Sequence, residues 1–145
     1  MRLLLDASAL IPLLIDHGEK LLDIATEVSL HITDLTIYEV GNSLWKLTAL
    51  LRTVSIEDAM ELMEILTTVI RGKLVMIVHF NKLDLSRALR LALTERITFY
   101  DASYIVATEE INATLVTEDR KLKEKARKHI NVITYDDLKA KLKSA

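Results

Sequence analysis

Arg2-Leu3-Leu4-Leu5-Asp6-Ala7-Ser8-Ala9 opens the chain with four apolar or aliphatic-stemmed positions and then an acid. Three consecutive leucines without polar alternation read as a strand buried on both faces, and an acid followed by small residues reads as the start of a helix. The same strand-to-acid sequence returns near the other end of the chain, in Leu115-Val116-Thr117-Glu118-Asp119. Short apolar runs at 2–6, 30–33, 113–117 and 132–134 predict strands, while 73–78 reads equally well as a further strand or an apolar linker. Segments of helical period at 9–15, 19–28, 37–51, 56–70, 83–96, 98–110 and 119–128 lie between them, and Asp136 and Asp137 begin a last helix. Ser55 with Asp58 resembles a capping box, and Asn81 is the start signal expected for the helix at 83–96. Strands joined through helices pair in parallel, so the expected fold class is α/β, a three-layer α/β/α sandwich around a mainly parallel sheet.

The composition supports one domain over residues 1–145. Half of the residues are hydrophobic but only 5% are aromatic, so the core is aliphatic, and three Gly with one Pro leave too few turn residues for an all-β architecture. The absence of Cys removes disulfides, thiolate metal sites and cysteine nucleophiles. Nineteen basic against twenty-one acidic residues give a net charge of −2, so any contact with nucleic acid has to be local. Asp6 interrupts the one stretch that resembles a signal peptide, and no run reaches the length of a membrane span, so a soluble, cytoplasmic chain is expected.

In open parallel sheets, sites form beyond the carboxyl ends of the strands. Asp6 and Asp119 stand there, each readable either as a helix N-cap or as a ligand. Glu39 and Asp101 lie on otherwise apolar or small-residue helical surfaces, in Ile37-Tyr38-Glu39-Val40 and Phe99-Tyr100-Asp101-Ala102. Asn42 follows Glu39 by three residues, on the same helical face, where it is a candidate to orient the acid or hold a water. Four carboxylates gathered at one sheet end repel one another unless cations neutralise them, and oxygen-only ligands suit Mg²⁺ or Mn²⁺. One or two such ions activate water and stabilise a leaving oxygen at phosphorus. Ser8 and Thr117, two positions from an acid, are hydrogen-bonding support or simple caps. No Gly-x-Ser-x-Gly elbow, phosphate loop or dinucleotide fingerprint is present, and the four histidines lack ligand spacing.

The ordered set Asp6-Ala7-Ser8-Ala9, Glu39-x-x-Asn42, Asp101-Ala102 with Ala107, and Thr117-x-Asp119 resembles the PIN-domain ribonucleases, especially the toxin subunits of VapBC toxin-antitoxin pairs. The resemblance spans essentially the whole chain. It implies that Asp6, Glu39, Asp101 and Asp119 are the catalytic, metal-binding acids, with Ser8, Asn42 and Thr117 as supporting polar positions. It further implies Mg²⁺- or Mn²⁺-dependent endoribonuclease activity in a type II toxin-antitoxin system, a homodimer, and a small cognate antitoxin whose peptide lies beside the acidic site. Leu122 stands where some relatives carry a further acid or amide, a departure that bears on a second ion.

Arg120, Lys121 and Lys123 open a basic helix after Asp119 and are candidate RNA contacts, although such a run also describes an ordinary solvated face. Tyr100 and Tyr104 flank Asp101 and are candidates to touch a nucleobase, beside the plainer reading of core or dimer packing. Three other readings compete: a structure-specific DNA nuclease, a catalytically silent module whose acidic pocket holds a partner's arginine, and a phosphoacceptor domain. The last needs a lysine after a late strand, where this chain has Glu118.

Overall fold

Leu3, Leu4 and Leu5 are all fully buried, which places their strand at the centre of the sheet. The computed structural model describes residues 1–143. In it β1 (Arg2–Leu5) pairs in parallel with β2 (Ser29–Thr33) on one side and β4 (Thr114–Val116) on the other. β3 (Val75–Val78) lies outside β2 and β5 (Val132–Ile133) outside β4, giving the order β3-β2-β1-β4-β5 with every pairing parallel. The ambiguous run at 73–78 is therefore a strand. Its register, Leu30 opposite Val75 through Thr33 opposite Val78, supplies the backbone partners that a buried linker would lack.

The helices are α1 (Ala7–His17), α2 (Leu21–Glu27), α3 (Asp34–Trp45), α4 (Ile56–Arg71), α5 (Leu85–Glu95), α6 (Phe99–Glu110), α7 (Arg120–Ala126) and α8 (Tyr135–Lys143). Period-two alternation in the strands divides the core. Leu3, Leu5, Leu30, Ile32 and Val116 face one cluster, built with residues of α1, α2, α3, α4 and α8. Leu4 and Leu115 face the other, built with residues of α5, α6 and α7. The expected three-layer sandwich is the observed architecture.

Three boundaries differ from the expected ones. The segment at 19–28 opens as a 3-10 turn, Gly18–Lys20, before α2, and α1 runs past 15 to His17, where Gly18 adopts φ +50° and donates its N–H to Leu14 O. The helix expected to run to 51 ends at Trp45 and continues as a π-helical turn, Lys46–Leu50. Asn81 does not start α5; it sits in a 3-10 turn at Phe80–Lys82, and Asp84 caps the helix by accepting from Arg87 N at 3.0 Å. The reason lies in α3, where the Asp34 carboxylate accepts from Phe80 N at 2.6 Å and meets His79 Nδ1 at 3.0 Å, holding the chain in a turn before the helix can begin.

Along the chain, β1, β2 and β3 proceed outward in one direction, and the connection through α5 and α6 then returns to the other side of β1. The sheet changes direction between β1 and β4. That crevice, beyond the strands' carboxyl ends, is where a parallel sheet of this kind builds a site.

Candidate active site

Asp6 directly follows β1 at the crevice and is 5% exposed. Its carboxylate caps α1, accepting from Ala9 N at 3.1 Å, from Ser8 Oγ at 2.6 Å and from Thr117 Oγ1 at the end of β4. The two hydroxyls also tie down the neighbouring loop: Ser8 Oγ accepts from Glu118 N at 2.8 Å, and Thr117 Oγ1 from Asp119 N at 3.0 Å. Asp119 in turn caps α7 through Leu122 N at 2.9 Å. Both strand-end acids are thus helix caps, and the network Asp6–Ser8–Thr117 fixes one against the other across the β1–β4 junction.

Glu39 reaches the same region from α3. Thr33, the last residue of β2, forms a reciprocal capping box with Thr36, with Thr33 N donating to Thr36 Oγ1 at 3.0 Å. The fully buried Thr36 hydroxyl also donates to Leu5 O at 3.4 Å, so the first turn of α3 is anchored to the residue before Asp6. Glu39, three positions later, accepts from the Tyr104 hydroxyl at 2.5 Å. Asn42 is exposed and makes no hydrogen bond to Glu39.

Asp101 lies in the first turn of α6, which Thr98 caps by accepting from Asp101 N at 3.0 Å. Its carboxylate accepts no hydrogen bond among the described residues, and its pKa is pushed up to about 6. Burial is the main cause, followed by the charges of Asp119, Glu39 and Asp6, while Lys121 acts in the opposite direction. The Asp6 carboxyl is also raised, first by burial and last by Glu39, against the pull of its three hydrogen bonds. Asp101 therefore lies within the field of three carboxylates from three other segments, and Asp6 within that of Glu39. Tyr104 is held above the usual phenol range by its burial and by Glu39.

The basic candidates separate here. Lys121 is exposed and close enough to Asp101 to oppose its shift, whereas Lys123 is near Asp137 on α8, whose carboxyl is held low chiefly by the Thr134 hydrogen bonds. Arg120 is exposed at the first position of α7. Tyr100 is 62% exposed beside Asp101, but Tyr104 is only 2% exposed and unable to stack on a base.

A family model described as PIN domain matches residues 3–128. The chain belongs to the PIN-domain family. It is 36% identical over 132 residues to a protein named Ribonuclease VapC3 from Pyrobaculum aerophilum, covering 86% of this chain and 95% of the relative. It is also 36% identical over 140 residues to Exonuclease VapC9 of the same organism, covering 90% of each. Among solved structures, PAE2754 from Pyrobaculum aerophilum superposes with a TM-score of 0.78 at 31% identity, over 100% of this chain and 91% of that one. VapBC-1 from nontypeable Haemophilus influenzae shares the fold with a TM-score of 0.61 at 16% identity, over 94% and 99% of the two chains.

In this PIN domain, among the described residues, no three Asp, Glu or His side chains stand ready to clasp an ion as they point. Glu39 and Asp119 each spend one carboxylate oxygen on a protein donor and Asp6 spends both, while Asp101 accepts none among the described residues. The donor set nonetheless fits a hard divalent cation. All four groups are carboxylates, the central one is pushed toward protonation by burial and then by the charges of the other three, and Lys121 opposes that push. Two contributors escape the sequence motifs. Tyr104 holds Glu39, and its place three residues after Asp101, on the same helical face, was the available signal. Glu118 accepts from Tyr135 N at 2.5 Å and so ties the Asp119 loop to α8, a contact across 17 residues with no local pattern.

Proposed function

We propose that this PIN domain is a ribonuclease that cuts internal phosphodiester bonds of RNA with Mg²⁺ or Mn²⁺, and that it is the toxin of a type II toxin-antitoxin pair. The observation that carries the reading is that Asp6, Glu39 and Asp119 all lie close enough to Asp101 at the β1–β4 crevice for their charges to act on it. These residues would hold one or two ions. When bound, a divalent cation supplies charge neutralisation for the scissile phosphate and its leaving oxygen, and makes a water nucleophilic. The chain's own part is positional. Ser8 and Thr117 fix Asp6, and Lys121, on the exposed side of α7, meets the phosphate backbone together with Arg120, while Lys123 serves as an outer contact. Asn42, exposed one turn beyond Glu39, is placed for a water-mediated contact. Leu122 is buried on the core side of α7 and offers no oxygen, which favours a single ion.

Two surfaces support the partners. On α5, Leu85, Leu89 and Leu93 form an exposed i, i+4, i+8 stripe that a second copy would cover in a homodimer. Between α2 and α4 runs a groove of about 580 Å³, lined by Leu22, Met60 and Val69 together with Glu57, Glu61 and Glu64. Its charge suits an antitoxin segment bearing basic side chains beside apolar ones. Among the described residues no helix is long and apolar enough to cross a membrane, in keeping with a cytoplasmic site of action.

The test is cleavage of a circular RNA and of a flap DNA by the intact protein, with Mn²⁺ or with EDTA, across pH. Opening of the circle, which has no ends, marks an endonuclease. The account expects the RNA circle to be opened with Mn²⁺ alone, and opening to fade as pH falls through about 6, where protonated Asp101 no longer binds a cation. Cleavage in EDTA, or of the flap DNA alone, contradicts it.

A further inference from the structure

Tyr104 is the one aromatic residue on α6 that is fully enclosed, at 2% exposure, and its hydroxyl is the only polar atom at the end of an otherwise apolar ring. A phenol buried this deeply needs a partner for its hydroxyl. Here that partner is Glu39 Oε1, at 2.5 Å across 65 residues of sequence. Thr36, one turn before Glu39 on α3, anchors that helix by donating its hydroxyl to Leu5 O. One line of side chains thus connects the end of β1, the first turns of α3 and the helix that carries Asp101. Glu39 is a long, flexible acid on a half-exposed surface, and among the described residues this bond is its one hydrogen bond from the protein.

We infer that Tyr104 is a positioning residue for Glu39, its hydroxyl holding one carboxylate oxygen so that the other is free for a cation shared with Asp6 and Asp101. The inference rests on the metal reading proposed above. Without the bond, Glu39 has several side-chain rotamers to lose on binding an ion; with it, most of that ordering has been completed during folding. The arrangement also couples the acids. Asp101 and Tyr104 are three residues apart on α6, so the helix that delivers one acid fixes the orientation of another.

Tyr104→Phe keeps the ring that fills the core and removes only the hydroxyl, and calorimetric titration of the intact protein with Mn²⁺ reads the consequence directly. The expected result is a roughly tenfold weaker Kd, the size of one charge-assisted hydrogen bond's net contribution. Circular dichroism of the metal-free variant should match the wild type. On a Glu39→Gln background, already weaker in Mn²⁺ binding, Tyr104→Phe should bring little further loss, since no carboxylate is left there for the hydroxyl to position. Wild-type affinity in Tyr104→Phe overturns the inference, as does an equal tenfold loss on the Glu39→Gln background, which would mark a general effect on packing. If the wild type itself takes up no Mn²⁺, the metal reading fails and the positioning role falls with it; if the wild type binds and Tyr104→Phe binds equally well, the positioning role falls alone.

Discussion

Asp101→Asn is expected to lower RNA cleavage in Mg²⁺ or Mn²⁺ by more than about 100-fold, beyond the 10- to 100-fold usual for groups standing behind a metal ligand. The same change is expected to stabilise the metal-free protein. Asp101 has its pKa raised to about 6 by burial and three neighbouring carboxylates, against an ordinary value of 3.8. The sign follows from proton binding. Between those values the folded state holds more protons than the unfolded state, so stability falls as pH rises through the window, and the full penalty is present above it. Asn carries no charge and escapes the penalty. Because the group is only half enclosed, solvent screening reduces the effect to about 1 kcal/mol, or roughly 3 °C in Tm for a domain of this size. Thermal unfolding in EDTA at about pH 8 and about pH 4 measures it: the variant's advantage should appear at the higher pH and vanish at the lower. Undiminished cleavage contradicts the catalytic assignment, and a large loss of stability at high pH contradicts the electrostatic one.

Asp6→Ala is expected to fail on both counts. The carboxylate caps α1 through Ala9 N and receives the hydroxyls of Ser8 and Thr117 while buried at the sheet's direction change. Its removal deletes a cap, costing about 1 kcal/mol, and leaves two hydroxyls without their charged acceptor, so the expected loss is about 2–4 kcal/mol together with activity. Asp6→Asn, which retains an acceptor for Ala9 N, should recover part of the stability and none of the activity. Urea denaturation compares the two. Equal stability of Asp6→Ala and wild type would show that the network around β1 and β4 does not hold the junction together.

These two acids also show what is legible in the sequence and what is not. The Leu3-Leu4-Leu5-Asp6 run announces a central strand with an acid at its carboxyl end because burial on both faces and an abrupt charge are local properties. The parallel order, and with it the convergence of Asp6 and Asp119, follows from strands alternating with helices. The capping of α5 was misplaced at Asn81 because the deciding contact, Asp34 with Phe80 N, joins residues 46 apart. The same limit hides the part of the site that sits behind the acids. Glu39 is visible as an acid on an apolar helix, but its partner is Tyr104 rather than Asn42, and only the packing of α3 against α6 makes that choice. Cap and ligand are likewise a false alternative for Asp6 and Asp119: the cap takes one oxygen of each, and although Thr117 donates to the second oxygen of Asp6, a carboxylate oxygen has two lone pairs and one such bond leaves the other for a cation.

The central claim is that four carboxylates from β1, α3, α6 and the end of β4 form one cation site. Anomalous diffraction from crystals of the intact protein grown near pH 8 and soaked in Mn²⁺ tests it most directly. The account predicts a peak in the β1–β4 crevice, bonded to at least one oxygen of Asp101 together with oxygens of Asp6 and Glu39, and with Asp119 at bonding distance or joined through a water. A crevice without a peak at saturating Mn²⁺, or an ion bound elsewhere while Asp101 and Glu39 remain apart, would contradict it.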